Sequence, residues 1–459
     1  MNQRLVDVLR TKKCSAEEAV SGIKAGSWID YGFFNGKPQA CDRALAARKK
    51  ELRDIYIISA VTLPPVPSVI ESDSEGETFT YHDFHFSPLT RILQEVKGNV
   101  FYNPIIYSEC ERYYTDVKNE PDLVGTPARS VSIVQTSPMN SEGFFNFGLH
   151  NSHTYTSLMN TGIRIIEVNE NIPVCPGGQY EKIHISDVTH VVEGEHPPLL
   201  QAPVLEPDDT EQQIALHVMD HISDGACVQF GIGGVPNSIG KMIASSDFKD
   251  LGCHTEMLVD SYVDLYEEGI MTGNLKQIDK GRMAYTFAVG GARLYEFMNN
   301  NRAIASYNVG YINDPRNIAL NDNVISINSA LQVDLYTQVN AESMGFKQIS
   351  GNGGMFDFVQ GAYWSKGGRS IICLPSTYTT SKGEIKSRLV PYLDPGTIVT
   401  VPRQMINIIA TEFGWISLKG DSTWARAEKI ISIAHPDFRE ELIKSAEKQK
   451  IWRRTSKIS

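Results

Sequence analysis

No run of 18 consecutive apolar residues occurs in this 459-residue chain, which argues against a membrane-spanning helix. Positive charge is also scarce. The 43 Lys and Arg face 54 Asp and Glu, a net charge of −11, and this balance carries no nucleic-acid footprint. It leaves room for a phosphorylated ligand, which local amides and a few cations can hold. The seven cysteines (Cys14, Cys41, Cys110, Cys175, Cys227, Cys253 and Cys373) are scattered and form no Cys-x-x-Cys pair. That excludes a zinc ribbon or a redox motif, and free thiols in a reducing compartment are expected. The N-terminus, Met1 to Asp7, lacks the apolar core of a signal peptide, so a cytoplasmic location is the default expectation.

What remains is an ordinary globular composition, 41% hydrophobic and 21% charged, long enough for two or three domains. A proline-rich stretch, Glu195-His196-Pro197-Pro198 through Pro207-Asp208-Asp209, reads as a linker. It sets the expected division at residues 1–205 and 206–459. Ser15 precedes a helix reaching Ile23, with Glu17 and Glu18 in its first turn. After the linker, Ile214, Val218 and Ile222 mark the apolar face of a second helix from Glu211. Strand-like and helix-like segments alternate in both parts, which predicts two α/β halves with largely parallel sheets. Pro436 to Ser459 reads as a closing amphipathic helix packed by Leu442, Ile443 and Ile451. No internal repeat is legible.

The segment Ala226-Cys227-Val228-Gln229-Phe230 reads as a buried strand, followed by the glycine-rich turn Gly231-Ile232-Gly233-Gly234-Val235-Pro236. Glycines there permit positive φ and close backbone approach to a ligand. A helix from Ser238 to Ala244 and a strand ending near Thr255 complete a parallel crossover. Neighbouring strands lie roughly 5 Å apart, so the Gly231 turn and Glu256 meet at one sheet edge, where open α/β sheets bind ligands. A second turn, Gly351-Asn352-Gly353-Gly354, follows later. A dinucleotide fingerprint fits poorly, because Pro236 occupies the place of the third glycine. On composition alone Glu256 is a solvated strand-end acid and the Gly351 turn an ordinary loop. Set between amide donors, a carboxylate is instead equipped to attack an acyl group.

Other polar residues carry less. His82 with His85, and His150 with His153, have metal-pair spacing but no evident third ligand. Cys253 reads as a packed small residue. His254 shares a strand face with Glu256 and is expected to make a structural hydrogen bond. Tyr31 to Gln39, with Tyr31, Phe33 and Phe34, either lines an acyl pocket or packs in the core.

Taken together and in order, several segments resemble the acetyl-CoA hydrolase/transferase group of family I CoA-transferases, over nearly the whole chain. They are Ile23 to Gly32, Gly231 to Pro236, His254-Thr255-Glu256-Met257, Ile327 to Asp334, Gly351 to Phe358, Thr411-Glu412-Phe413-Gly414 and Ile433 to Arg439. Ser27 replaces the usual Asp of the first segment, and Met355 stands where relatives often carry Gln. The butyryl-CoA:acetate and 4-hydroxybutyrate CoA-transferases are the nearest subgroups.

The resemblance implies two similar α/β domains fused in one chain, with the active site in the cleft between them. It implies Glu256 as nucleophile, a ping-pong reaction through a glutamyl-CoA thioester, and oxyanion donors at Ile232 and Gly353. CoA contacts fall on Gly231, Ile232, Gly233, Gly234, Val235, Leu331, Gly353 and Gly354, with Lys382 toward the phosphates. Coenzyme A is a substrate, and no cofactor or metal is required. The expected substrates are a short-chain acyl-CoA, butyryl-CoA first, and acetate, as in fermentative short-chain fatty acid metabolism. The expected assembly is a homo-oligomer. A hydrolase using the same intermediate, a transferase for 4-hydroxybutyrate, propionate or succinate, and a catalytically idle CoA-binding protein are the alternatives.

Overall fold

The computed structural model describes residues 3–203 and 206–453. Helix starts follow local chemistry. The Ser15 hydroxyl accepts the Glu18 amide at 3.1 Å, and the Glu18 carboxylate accepts the Ser15 amide at 2.9 Å. Asp208 and Glu211 repeat the exchange at 2.8 and 3.0 Å. Such boxes satisfy amides that a helix start leaves unpaired. The helices they open, Ala16–Val20 and Asp209–Met219, are shorter than their apolar pattern suggests. The closing helix, Pro436–Lys448, buries Leu442 and Ile443. It ends where Lys450 turns to a φ of +59°, short of the expected Ser459. Residues 454–459 lie outside the described residues, as does the expected boundary at residue 205.

Two eight-stranded sheets organise the chain. In the first, Trp28–Phe33 is flanked on one side by Ile55–Ala60, Phe79–Asp83 and Val100–Tyr102. On its other side lie Val131–Thr136, Ile163–Val168, His190–Glu193 and the edge strand Lys13–Cys14. In the second, Cys227–Gln229 has Gly252–Leu258, Met283–Ala288 and Ile304–Ser306 to one side. Val324–Ser329, Arg369–Cys373, Ile408–Thr411 and Gly414–Ser417 lie to the other. Every pairing in these two sheets is parallel except that of Gly414–Ser417 with its neighbour. Leaving out Lys13–Cys14 and Gly414–Ser417, each half lays its first four strands one way and its next three the other. The same order occurs twice, a duplication invisible in the sequence. Covered on both faces, the central strands are almost wholly buried.

Each sheet therefore reverses direction beside its first strand, and α/β proteins bind ligands at such points. Backbone bridges His150–Phe287 and Ser152–Asn308 fasten the halves together at the ends of Met283–Ala288 and Ile304–Ser306. Among the described residues no helix is long and apolar enough to cross a membrane.

Candidate active site

Glu256 sits inside the strand Gly252–Leu258, not beyond its end. The parallel register pairs Cys227 with Gly252 and Val228 with Cys253. Carried forward, it sets Gly231 level with Glu256. The helix after the glycine turn begins at Gly234, earlier than the expected Ser238, with Gly233 as its cap at φ +126°. A β-carbon at Gly234 would meet the Glu211 carboxylate, which would have to move aside.

The second turn meets the carboxylate from across the sheet. Gly353 adopts φ +53°, a left-handed conformation natural to glycine. Its neighbour Gly354 lies so near Glu256 that a β-carbon there would overlap the carboxylate Oε2 and Asn313 Nδ2. The Gly354 backbone amide lies against the Glu256 carboxylate and favours its charge.

Asn313 completes the setting. Its Nδ2 donates to Glu256 Oε2 at 2.7 Å and leans toward Asp357 Oδ2 at 3.4 Å. Asp357 is held by the Ser108 amide at 3.0 Å and hydroxyl at 2.7 Å. His254 Nε2 bonds the Ile312 carbonyl at 2.8 Å. It thereby pins the segment that delivers Asn313. Burial pushes the Glu256 carboxyl up to about 8, against the Asn313 hydrogen bond and with help from the Asp357 charge. Burial likewise raises Asp357 to about 7, against its bonds from Ser108. Two carboxyl groups facing one amide resist joint ionisation.

This rise has a stability consequence with a definite sign. A carboxyl raised from 4.5 to about 8 on folding contributes stability present below 4.5, which is lost as pH rises through 8. Glu256→Gln, which stays neutral, should melt above the parent at pH 9, with the advantage vanishing toward pH 4.5. Thermal unfolding across that range checks it, and equal melting temperatures at pH 9 would contradict the shift.

Glu256 lies between two cavities. One, of about 660 Å³, is walled by Phe33, Phe84, Phe287, Val289 and Met257, with Tyr107 among its lining. The other, of about 370 Å³, runs over Gln229, Gly231, Asn328, Ser329, Asn352 and Gly354. This second space straddles the ends of Cys227–Gln229 and Val324–Ser329, the point where the second sheet reverses. Ile232, His85 and Gly353 border both cavities, and the Ile232 side chain is 49% exposed there.

Other expected residues fall elsewhere. Gly233, Gly234 and Val235 form the start of the adjoining helix and line neither cavity. Leu331 lies outside both linings; its amide bonds the Asn340 carbonyl at 2.8 Å, and its carbonyl accepts Arg388 at 3.0 Å. Lys382 is exposed in the turn between Thr377–Thr379 and Ile385–Ser387. Cys253 is fully buried, and burial pushes its thiol up, so it packs as a small apolar group. Phe33 and Phe34 reach the apolar cavity, whereas Tyr31 faces a neighbouring one with Lys37.

His82, His150 and His153 serve as packing and hydrogen-bonding groups, whereas His85 borders both cavities beside Glu256. His82 stacks on Trp28 at 5.4 Å, His150 Nε2 bonds the Gln135 carbonyl at 2.9 Å, and His153 bonds Asp30 at 3.2 Å. Asn313 and Tyr107 escaped the sequence reading. Asn313 precedes Asp314-Pro315 and looks like a turn residue, and nothing in its surroundings marks it as a ligand.

A half-buried carboxylate set beside amides, with an apolar cavity on one side and a polar groove on the other, defines an acyl-handling enzyme. Two family models match: the acetyl-CoA hydrolase/transferase N-terminal domain over residues 7–202, and the C-terminal domain over residues 290–446. The butyryl-CoA:acetate CoA-transferase of Anaerostipes caccae is 45% identical, over 96% of this chain and 97% of that one. The 4-hydroxybutyrate coenzyme A transferase of Clostridium kluyveri is 35% identical, over 96% and 99%. The crystal structure of RipA from Yersinia pestis superposes with a TM-score of 0.86 at 35% identity, covering 98% of this chain and 100% of that one. The chain belongs to the acetyl-CoA hydrolase/transferase family, and it is a CoA-transferase.

Proposed function

We propose that this enzyme moves CoA between a short-chain acyl-CoA, butyryl-CoA first among them, and acetate, with Glu256 as the covalent carrier. The observation that carries this reading is the position of Glu256, at the junction of an apolar cavity and a polar groove and in contact with the Gly354 amide. The Glu256 carboxylate attacks the thioester carbonyl, the C–S bond breaks, and a glutamyl–acyl anhydride forms as CoA thiolate leaves. The thiolate then attacks the glutamyl carbonyl, giving glutamyl-CoA and the free carboxylate. Acetate reverses both steps and departs as acetyl-CoA. Carboxylates and thiolate exchange places throughout, so the balance closes without a proton, an added cofactor or a metal. Division into two displacements gives ping-pong kinetics.

The aromatic cavity suits the acyl chain, and the polar groove suits the amide-rich arm of CoA. Leu331 stays in this assignment as the residue two beyond the groove-lining Ser329. Lys382, exposed on its hairpin turn, is assigned to the distant phosphates. Ile232 and Gly353, which border both cavities beside Glu256, supply the oxyanion amides.

A direct test measures butyryl-CoA consumption with and without acetate. Transfer predicts acetyl-CoA formation and little free CoA when acetate is omitted. Equal release of free CoA in both cases would make the enzyme a hydrolase. The acid side of the pH profile gives a second expectation. Because Glu256 must be ionised to attack, kcat/KM should climb with pH up to about 8. Asp357→Asn, which removes the facing charge, should move that limb to lower pH. An unmoved limb would assign it to another group.

A further inference from the structure

Behind the apolar cavity runs a chain of buried polar side chains that the transfer steps above leave unused. Tyr107 Oη lies 2.6 Å from Ser152 Oγ. Ser152 Oγ lies 3.1 Å from His153 Nδ1, and His153 Nε2 lies 3.2 Å from Asp30 Oδ2. Asp30 also accepts the Tyr114 hydroxyl, and the Gly32 amide at 2.7 Å. None of Asp30, Ser152, His153 and Tyr107 is more than 2% exposed. Ser152 holds its place with φ at +44°, a conformation that residues other than glycine seldom take. The halves are bridged at that residue, to Asn308. At the other end, Tyr107 lines the cavity that holds Glu256, and Glu256 is the charge that acts most strongly on its hydroxyl.

Counting protons fixes the direction of this chain. A charged His153 donates from both nitrogens, to Asp30 and to Ser152. The Ser152 proton then has one acceptor within reach among the described residues, Tyr107 Oη. The Tyr107 proton is left free to point into the cavity. With a neutral His153 the order reverses: Ser152 donates to Nδ1, Tyr107 donates to Ser152, and the cavity faces a tyrosine lone pair. We propose that Tyr107 is a further catalytic residue, its hydroxyl proton turned by Asp30, His153 and Ser152 toward the oxygen of the acyl group or carboxylate reacting at Glu256.

The groups around His153 favour the donating state. Burial opposes its charge, yet Cys110 and the Asp30 carboxylate raise its pKa well above the usual histidine range. The Tyr114 ring stacks on it at 5.5 Å, with the Arg129 guanidinium beyond, 4.9 Å from that ring. Phe84 closes the remaining side at 5.6 Å. A hydrogen bond aimed at developing negative charge is the kind of contact whose loss costs about 10²-fold or more in kcat.

The proposal rests on Glu256 as carrier, and its test separates the two. Tyr107→Phe should lower kcat by about 10²-fold with a smaller change in the KM for butyryl-CoA. Ser152→Ala keeps the tyrosine but cuts its link to His153. In the parent, activity should fall at alkaline pH as His153 loses its proton. Both variants should lose that limb, which a purely structural role would not remove. Thermal melts establish that each variant is folded, and Ser152→Ala serves should Tyr107→Phe fail to fold. A Tyr107→Phe kcat within twofold of the parent, or an unchanged alkaline limb in Ser152→Ala, overturns the role of Tyr107. If the parent forms its covalent CoA adduct normally, the Glu256 reading survives that result. A parent that turns over with no adduct on Glu256 overturns both.

Discussion

Replacing Glu256 by alanine should reduce CoA transfer on the order of 10⁴-fold or more, the scale on which loss of a covalent nucleophile is felt. Neighbouring groups offer no substitute. Asp357 is tied by two bonds from Ser108, and Cys253 is fully buried. Glu256→Asp gives a sharper comparison. It keeps a carboxylate but withdraws it by one methylene from Asn313 and Gly354, and a displacement near 1 Å typically costs about 10²-fold. The expected order of kcat is therefore parent, aspartate, alanine, with clear gaps between them. Unchanged transfer in the alanine variant would make the chain a CoA-binding protein whose turnover comes from elsewhere.

The second large effect is expected at Gly354. A β-carbon there overlaps both Glu256 Oε2 and Asn313 Nδ2, so alanine must push the carboxylate away from its donors. Loss of one preorganised amide alone is worth about 10²–10³ in kcat, and displacing the nucleophile adds to that. Gly353→Ala provides the contrast. Its β-carbon would stand 3.6 Å from Glu256 Oε1, an ordinary contact. The cost there is mainly left-handed backbone strain, about 1–2 kcal/mol. Gly354→Ala should thus remain folded and nearly inactive, while Gly353→Ala should be less stable but more active. Steady-state kinetics beside thermal melts of the two variants decides the matter; equal kcat would contradict the placement of Gly354.

These contrasts show where sequence reasoning reaches and where it stops. The meeting of Glu256 with the Gly231 turn was legible because strand, turn, helix and strand leave local signatures and a parallel crossover constrains where the ends meet, whereas the Gly351 turn was marked only by the family resemblance. The residue-level geometry was less accessible. Gly353 and Gly354 are indistinguishable as letters, and only the φ of +53° at Gly353 and the closeness of Gly354 to the carboxylate separate them. Asn313 lies 57 positions from Glu256 along the chain, and Ser152 lies 45 from Tyr107. Each of these pairs lies within one half, joined across loops that follow different strands, and no periodicity encodes them. The duplicated strand order was hidden for a different reason. A buried parallel strand requires only apolar residues, so two halves can keep one topology after their sequences have diverged.

The central claim is that CoA is carried on the side chain of Glu256. Incubating the enzyme with butyryl-CoA, quenching, digesting and weighing the peptides tests it directly. The account predicts a peptide containing Glu256 heavier by CoA joined as a thioester, discharged on adding acetate and absent from Glu256→Ala. Sustained turnover with that peptide always at its unmodified mass would contradict it.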